Sequence, residues 1–373
     1  MFRLSGRAVF PDGVYEATLS LQDKRISAIT RGADPQADLV TSGWIAPGLI
    51  DLQVNGAYGY DLTADSTTVA PLAAKLPATG ITSFLPTVIT SPLESYSRLL
   101  RDFEQAAKGA RGAQVLGLHL EGPYLNPKAV GAHNLEYLRA PNVSEIEHWA
   151  GSPLVRLCTL APELPGALEM IAQLRARNIL VSAGHSNATF AEAMAGFDAG
   201  IAWGTHLFNA MSQVMHRQPG LVGALLSSDV PCGLIADGVH VHPANLKLAW
   251  RAKGARGLTL VTDAMSAMGM SPGQYPLGDR EVFVDATSAR LRDGTLAGSI
   301  LQMDAAIRNM IVFTGCSLAD AITMASTTPA RLIGVADRKG QIALGFDADL
   351  VVFDESLRVE RTIIGGEIVY ATS

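Results

Sequence analysis

Acidic and histidine side chains stand at or just beyond the ends of short apolar runs in this chain. The runs are VLGLHLEGP, ILVSAGHSNAT, AWGTHLFNAM, CGLIADGVH and LTLVTDA, and the polar residues are Glu121, His185, His206, His240 and Asp263. Glu121, His185 and His206 offer one carboxylate and two imidazoles, the donor set of a catalytic zinc-type site that leaves a position open for water. A metal ion there lowers the pKa of water toward ~7 and polarises a carbonyl oxygen. These residue types therefore predict a metal site suited to hydrolysis.

Asp263 ends the last of these runs, in LVTDAM. We interpret its carboxylate as a general base that takes a proton from the attacking water and later gives it to a leaving amine. The alternative is a structural role, in which Asp263 caps the segment after it and His185 merely lies at a helix amino terminus. No local HExxH motif decides between these interpretations, so the choice depends on whether the fold brings the side chains together.

The elements that would position these residues are apolar runs separated by helical patterns. Eight candidate strands are present: LIDLQVN (49–55), ITSFLPT (81–87), VLGLHLE (115–121), VRLCTLA (155–161), ILVSAG (179–184), IAWGTH (201–206), CGLIAD (232–237) and LTLVTD (258–263). Most intervals carry helical patterns, such as PLESYSRLLRDFEQAAK and PANLKLAWRAKG. Eight such units predict an α/β fold, a (β/α)8 TIM-like barrel whose strand ends meet at one rim. A doubly wound open sheet is the alternative, but no Gly-rich phosphate fingerprint follows the first strand.

The two ends of the chain have a different pattern. Short strand-like stretches alternate with turn residues in RAVF, YEATLSL and RISAIT near the start, and in QIALGFDADLVVFD, LRVERTIIG and EIVYATS near the end. Each end is too short to form a core alone, so we predict one small β-sandwich built from both termini. The predicted limits are 1–47 and 336–373 for the sandwich and 48–335 for the metal-dependent barrel.

Composition narrows the class of protein. The 373 residues are 48% hydrophobic and carry a net charge of −6 without a basic run, so nucleic acid is not an expected partner. Cys158, Cys232 and Cys316 are odd in number and lie in apolar patterns, which indicates reduced thiols. The amino terminus lacks the apolar core of a signal peptide, and no apolar run approaches ~18 residues. We therefore expect a cytoplasmic protein with no membrane contact.

Several segments carry a resemblance to a known family. GLHLEGPYLNP, GAHN, SAGHSNAT, THLFNAM, RQPGLVGA, IADGVHV and LVTDA resemble the N-acetylglucosamine-6-phosphate deacetylase family of the amidohydrolase superfamily, and the similarity covers nearly the whole chain. The resemblance implies a homodimeric enzyme that hydrolyses the acetamide of N-acetyl-D-glucosamine 6-phosphate to glucosamine 6-phosphate and acetate. It also implies that Glu121, His185 and His206 are metal ligands and that Asp263 transfers the proton.

The same resemblance assigns substrate contacts. His133 in GAHN corresponds to a residue that orients the substrate near the acetamide. The positions that correspond to contacts with the sugar phosphate are Asn209, Ala210, Arg217 and His240, and the loop lining the N-acetyl end is Leu296, Ala297 and Gly298. The assignment agrees with elementary electrostatics, because an acidic protein needs a local cation such as Arg217 to hold a phosphomonoester. In this family some phosphate contacts can cross the dimer interface.

One departure from the superfamily concerns the number of metal ions. Many amidohydrolases have His-x-His after the first strand, whereas this chain has Gln53 and Asn55 there. Amides are poor ligands for transition metals, so we predict one divalent ion per subunit, with Gln53 and Asn55 lining its site. Zinc is the first expectation, and iron, cobalt and manganese also suit the donors.

Three other functions stay open at this stage. A dihydroorotase-like or cyclic amidase chemistry would need a carboxylated lysine, but no lysine ends the fourth strand, VRLCTLA. An amidohydrolase that acts on a related N-acyl amino-sugar phosphate is the nearest alternative. An inactive barrel that serves as a binding module is the other, and the presence of all four candidate site residues weighs against it.

Overall fold

A computed structural model of the chain describes residues 1–372, apart from the side chain of His148. The strands are β1 (Phe2–Phe10), β2 (Gly13–Gln22), β3 (Arg25–Arg31), β4 (Leu39–Pro47), β5 (Leu49–Val54), β6 (Gly56–Ala57), β7 (Tyr60–Asp61), β8 (Ile81–Ile89), β9 (Gln114–Val115), β10 (Leu118–Glu121), β11 (Val155–Leu160), β12 (Leu180–Ala183), β13 (Trp203–Gly204), β14 (Cys232–Leu234), β15 (Leu258–Leu260), β16 (Gly273–Leu277), β17 (Arg280–Val284), β18 (Ala289–Arg290), β19 (Leu350–Phe353), β20 (Val359–Ile364) and β21 (Glu367–Ala371). The α-helices are α1 (Val69–Lys75), α2 (Tyr96–Ala107), α3 (Ala167–Ala176), α4 (Phe190–Ala199), α5 (Gly220–Ser227), α6 (Pro243–Gly257), α7 (Met303–Thr314), α8 (Leu318–Ala325) and α9 (Thr327–Leu332). Short 3-10 segments lie at Ser66–Thr68, Leu76–Thr79, Leu93–Ser95, Pro127–Ala129, Leu135–Tyr137 and Val143–His148.

The predicted barrel is confirmed. Its strands follow the order β5, β8, β10, β11, β12, β13, β14, β15, and every neighbouring pair is parallel. Each of the eight strands expected from the sequence is present, although several are shorter, such as β13 with two residues. Because all strands run the same way, their carboxyl ends meet at one rim. The open-sheet alternative is wrong.

The barrel closes between β15 and β5 largely through a buried carboxylate. Asp51 of β5 accepts hydrogen bonds from Gln53 N at 3.1 Å, Thr262 N at 3.2 Å and Thr262 Oγ1 at 2.5 Å. Further along, Asp263 N donates to Gln53 O at 3.0 Å and Asn55 N donates to Ala264 O at 2.8 Å. These bonds join the first and last barrel strands close to the rim at which the candidate site residues lie.

The helices form where the sequence pattern predicts them. In α2 the buried side chains are Tyr96, Leu99, Leu100 and Phe103, a spacing that puts them on one face toward the barrel. Helix α4 begins with a capping box between Thr189 and Glu192. Within the described residues, no helix is long and apolar enough to cross a membrane.

The two ends of the chain combine into one unit, as predicted, and where the sequence predicted a β-sandwich this unit is a single mixed sheet. Its order is β21-β20-β19-β4-β1-β2-β3, and β4 from the start of the chain pairs antiparallel with β19 from the end. The sheet has its own hydrophobic core, which includes Leu19, Ile45 and Ile363. All three cysteines are buried and unpaired, as expected. The limits 1–47, 48–335 and 336–373 stay a prediction.

One element was not expected from the sequence. Strands β16, β17 and β18 form a small antiparallel sheet between the eighth barrel strand and α7. It has a separate apolar core with Met265, Leu277 and Val282. Gly278 N donates to Asp61 Oδ2 at 2.8 Å and Asn134 Nδ2 donates to Asp279 Oδ2 at 2.6 Å, so the sheet is held across the barrel rim.

Candidate active site

The backbone is strained at three of the candidate metal-binding and catalytic residues. His185, His206 and Asp263 have φ values of 48°, 29° and 49°, in the left-handed region that non-glycine residues rarely adopt. Each follows the carboxyl end of a barrel strand, where the chain must turn away from the sheet. Such strain persists only where the surrounding structure imposes it, and it is concentrated at functional sites. The rim therefore differs from an ordinary set of strand-to-helix connections.

Glu121, His185 and His206 converge on one point. His206 Nε2 lies 3.0 Å and His185 Nε2 lies 3.3 Å from Glu121 Oε1, and the two Nε2 atoms are 3.1 Å apart. The three possible ligand atoms all lie within 4.8 Å of one another, and all three residues are buried. His185 Nδ1 lies 2.9 Å from the carbonyl oxygen of Ala129. Because a carbonyl only accepts, Nδ1 carries a proton, and Nε2 is the ring atom that faces the cluster.

The electrostatics of this cluster fit a divalent cation. Two imidazole nitrogens at 3.1 Å repel each other if both present lone pairs, unless a proton or a cation lies between them. Burial opposes ionisation of Glu121, but hydrogen bonds and charge from His185 and His206 outweigh it and hold its pKa well below the ordinary range. Gln53 Nε2 also donates to Glu121 Oε1 at 3.0 Å. A buried carboxylate with two imidazoles is a site at which a divalent metal ion binds well.

Asp263 lies beside this cluster. It is buried, and Asn55 Nδ2 donates to its Oδ1 at 2.7 Å. Burial, together with the charge of Glu121, raises the pKa of Asp263 to about 6. Gln53 Oε1 and Asn55 Oδ1 are buried acceptors without a hydrogen-bond partner in the described chain. Such atoms can accept hydrogen bonds from a water molecule or a substrate group in the site.

His133 is held in one tautomer. Thr90 N donates to His133 Nδ1 at 3.2 Å, and a backbone N–H can only donate, so the ring proton lies on Nε2. Burial, with the nearby His185, lowers the pKa of His133 to about 3. His133 is therefore a neutral ring that presents Nε2–H, 3.8 Å from Glu121 Oε2, as a donor toward the pocket.

The cluster opens into a cavity of about 410 Å³ at the barrel rim. Beside the cluster, the predicted residues that line it are Asn55, His133, Asn209, Ala210, His240, Asp263, Leu296 and Gly298. Ala297 is buried behind this wall, and Gln53 reaches the site through Glu121. Arg217 is exposed on the loop before α5 and is not among the described residues that line the cavity.

Sequence reasoning missed part of the wall. Lys128, Ile89, Leu277 and Thr295 also line the cavity. Lys128 lies in NPKAVGAHN, between two motifs that were recognised, and its position there was the available signal. Leu277 and Thr295 come from the unexpected small sheet and the loop after it, so no strand-end argument could have found them.

Comparison with known proteins agrees with this geometry. The model of the amidohydrolase family matches residues 44–369. An N-acetylglucosamine-6-phosphate deacetylase from Bos taurus is 43% identical over 91% of this chain and 86% of its own length, and one from Bacillus subtilis (strain 168) is 39% identical over 94% and 92%. An N-acetylgalactosamine-6-phosphate deacetylase from Escherichia coli O157:H7 is 40% identical over 87% of both chains.

Solved structures show the same relationship. A deacetylase variant from Mycobacterium smegmatis, in complex with N-acetyl-D-glucosamine-6-phosphate, superposes with a TM-score of 0.94 at 33% identity over 99% of both chains. The N-acetylglucosamine-6-phosphate deacetylase of Thermotoga maritima gives a TM-score of 0.90 at 34% identity over 98% of both chains. This chain therefore belongs to the amidohydrolase family, in the group of N-acetylglucosamine-6-phosphate deacetylases.

Proposed function

We propose that this chain hydrolyses the acetamide of N-acetyl-D-glucosamine 6-phosphate to glucosamine 6-phosphate and acetate. The observation that carries the proposal is the convergence of Glu121, His185 and His206 on one point beside Asp263, at the bottom of a single cavity. Relatives that carry this activity in their names cover most of the chain, which supports the same substrate class.

Glu121, His185 and His206 hold one divalent metal ion per subunit, with zinc as the first expectation. When bound, the ion supplies a Lewis acid that polarises the acetamide carbonyl and makes water more acidic. Asp263 takes the proton from the attacking water and passes it to the leaving amine nitrogen. Its raised pKa, about 6, suits both halves of this transfer, because the same carboxyl must first accept and then release a proton.

The neighbouring side chains hold the reacting groups. Asn55 fixes Asp263 by its 2.7 Å hydrogen bond to Oδ1, which leaves Oδ2 for the water. His133 donates from Nε2 to a substrate oxygen near the acetamide. Leu296 and Gly298, together with Ala297 behind them, form the wall against the N-acetyl methyl group. An apolar wall of this kind limits the size of the acyl group.

The phosphate needs positive charge, and the cavity supplies only part of it. Asn209, Ala210, His240 and Lys128 line the cavity, whereas Arg217 lies outside it on an exposed loop. We propose a homodimer, in which Arg217 contributes to the phosphate site across the interface. Exchanging Arg217 for Ala then raises KM for the phosphorylated sugar far more than for the unphosphorylated one, and size-exclusion chromatography with mass measurement reports the dimer.

Acetate release tests the proposal directly. The purified chain is assayed with N-acetylglucosamine 6-phosphate, its galactosamine and mannosamine counterparts, and unphosphorylated N-acetylglucosamine, with metal content determined in parallel. We expect the highest kcat/KM for N-acetylglucosamine 6-phosphate, a loss of about 100-fold or more without the phosphate, and one metal equivalent per chain.

Other outcomes separate the alternatives. A higher kcat/KM for a C4 or C2 epimer would assign the enzyme to a related N-acyl amino-sugar phosphate; a relative with galactosamine specificity in its name makes the C4 epimer the sharper comparison. No acetate from any of the four compounds, with metal bound, would leave the barrel as a binding module. The expected cytoplasmic location stays a prediction.

A further inference from the structure

Asp237, which follows β14, makes three hydrogen bonds within the ADGVH segment. Its Oδ1 accepts from Val239 N at 2.8 Å and from His240 N at 2.7 Å. Its Oδ2 lies 2.6 Å from His240 Nδ1. The carboxylate therefore fixes both the backbone and the ring of the histidine that lines the cavity. Nothing in the mechanism above uses Asp237.

The Asp237 bond determines which ring atom of His240 faces the substrate. Because a carboxylate oxygen accepts, Nδ1 of His240 carries a proton, and Nε2 is the polar atom that remains for the cavity. Nε2 has no partner among the described residues. The His240 side chain is only 5% exposed, so the ring has little freedom to rotate away.

The charge of Asp237 decides what His240 can do. Burial opposes its ionisation, but the hydrogen bond and charge of His240 outweigh burial and hold the pKa of Asp237 below its ordinary value. Asp237 Oδ2 occupies Nδ1 of His240 at 2.6 Å, so a phosphate oxygen bound at Nε2 would place the ring between two anions, with a donor N–H toward each. His133 is the contrast in the same cavity, because a backbone N–H faces its Nδ1 and burial keeps that ring neutral.

We infer that Asp237 is a positioning residue that holds His240 as a cationic donor, aimed through Nε2 at a phosphate oxygen of the substrate. The inference rests on the proposed function and deepens it, since it identifies a source of positive charge inside the cavity of a single subunit, in addition to Lys128. A charged donor binds a phosphate oxygen about twice as strongly as a neutral one. The carboxylate thus acts on the substrate only through the histidine.

Asp237→Asn tests this in the metal-loaded enzyme. The amide keeps an oxygen for Val239 N and His240 N but turns an N–H toward Nδ1, which moves the ring proton to Nε2 and removes the charge. We expect KM for N-acetylglucosamine 6-phosphate to rise about tenfold with kcat within about twofold, and KM for the unphosphorylated sugar to stay unchanged. In phosphate-saturated protein labelled with 15N-histidine, the His240 signal should change from the doubly protonated to the Nε2-protonated pattern.

A double-mutant cycle shows whether Asp237 acts through His240. On a His240→Asn background, adding Asp237→Asn should change KM by less than about twofold, because its only route to the substrate is gone. Asp354→Asn is the matched control, since Asp354 Oδ1 accepts a backbone bond from Arg358 N at 2.8 Å in the connection between β19 and β20, and Asp354 does not line the cavity. This control should leave KM and kcat unchanged.

Three results would overturn the inference. One is an Asp237→Asn enzyme with the KM of the parent despite a changed His240 signal. Another is full additivity of the two substitutions, and the third is a loss confined to kcat. If Asp237→Asn fails to fold, the His240→Asn enzyme still tests the inference. An unchanged KM in that enzyme would show that His240 does not bind the phosphate. Failure of the proposed function is distinct, because the parent enzyme itself would then release no acetate.

Discussion

One polar cavity lies at the carboxyl ends of the barrel strands, and another lies beside the terminal sheet. The cavity at the rim measures about 410 Å³, and the one beside the terminal sheet measures about 630 Å³. In the larger cavity three cations are paired with acids: Lys339 Nζ bonds Asp349 and lies 3.1 Å from Asp347 Oδ2, while Arg25 and Arg338 each lie 2.5 Å from Asp347. Every one of these cations has an acid beside it.

The smaller cavity is arranged in the opposite way. Glu121, His185 and His206 point their donor atoms at one another, and Gln53 and Asn55 leave amide oxygens without partners in the described chain. Size therefore does not identify the site. The site is identified by buried polar atoms that lack a hydrogen-bond partner within the chain. Such atoms are tolerated in a fold where a ligand, a metal ion or water binds to them. The ion pairs of the larger cavity instead link the two ends of the chain within the terminal domain, as Arg25 does with Asp347.

The largest expected effect comes from removing one of the three candidate metal-binding side chains at the rim. His185→Ala leaves Glu121 and His206 with too few donors for a catalytic ion. We expect metal content to fall to near zero and acetate release to fall to the assay background, measured on the same preparation. An enzyme that keeps both metal and turnover would show that the ion is held elsewhere.

The next largest effect separates the metal from the proton transfer. Asp263→Asn keeps the shape of the side chain but cannot accept a proton, so kcat should fall by about 10²–10⁴-fold while metal content is unchanged. Asp285→Asn, an exposed turn carboxylate that bonds Thr287 N, is the control and should retain the parent kcat. Turnover within a few-fold of the parent would remove Asp263 from the mechanism.

At the larger cavity the same kind of change should affect stability and spare catalysis. Lys339→Met leaves the buried Asp349 without a cation, while Asp347 keeps Arg25 and Arg338, and this should cost about 3–5 kcal/mol of unfolding free energy. Lys108→Met removes an exposed pair with Glu104 and should cost less than about 1 kcal/mol. Urea unfolding and kcat are measured on both variants. A kcat loss in the folded Lys339→Met enzyme would contradict the division of roles.

Much of the barrel and of the site at its rim could be predicted from the sequence, because both follow from local patterns. Apolar runs bounded by Gly or Pro predicted all eight barrel strands, and the position of Glu121 at the end of β10 followed from the run alone. Parallel strands end at one rim, so the proximity of His185 and His206 was a consequence of topology.

The remainder depended on contacts between distant segments. The small sheet of β16 to β18 is stabilised by packing against the rim and by Asp61, which accepts from Gly278 N, and neither contact has a local sequence signal. The exposed position of Arg217 could not be predicted either. A sequence motif identifies a residue, but it does not show whether that residue lines the cavity of its own chain.

The smallest expected effect concerns Asp51, the buried carboxylate that joins the first and last strands below the rim. Burial raises its pKa from 3.8 to about 7, so between these pH values the folded chain holds a proton that the unfolded chain has released. The contribution of Asp51 to stability therefore decreases as pH rises from about 4 to about 7, with a slope on the order of 1 kcal/mol per pH unit at most. Asp51→Asn cannot ionise and lacks this slope, although its amide beside Thr262 N lowers the unfolding free energy by an amount that does not depend on pH.

Urea midpoints at pH 5, 6, 7 and 8, with saturating metal, should show the parent losing stability relative to Asp51→Asn as pH rises. If the urea midpoints of the two proteins instead changed in parallel with pH, the three donors around Asp51 would keep it ionised throughout. The first and last strands would then be joined by an ionised carboxylate and not by a protonated carboxyl group.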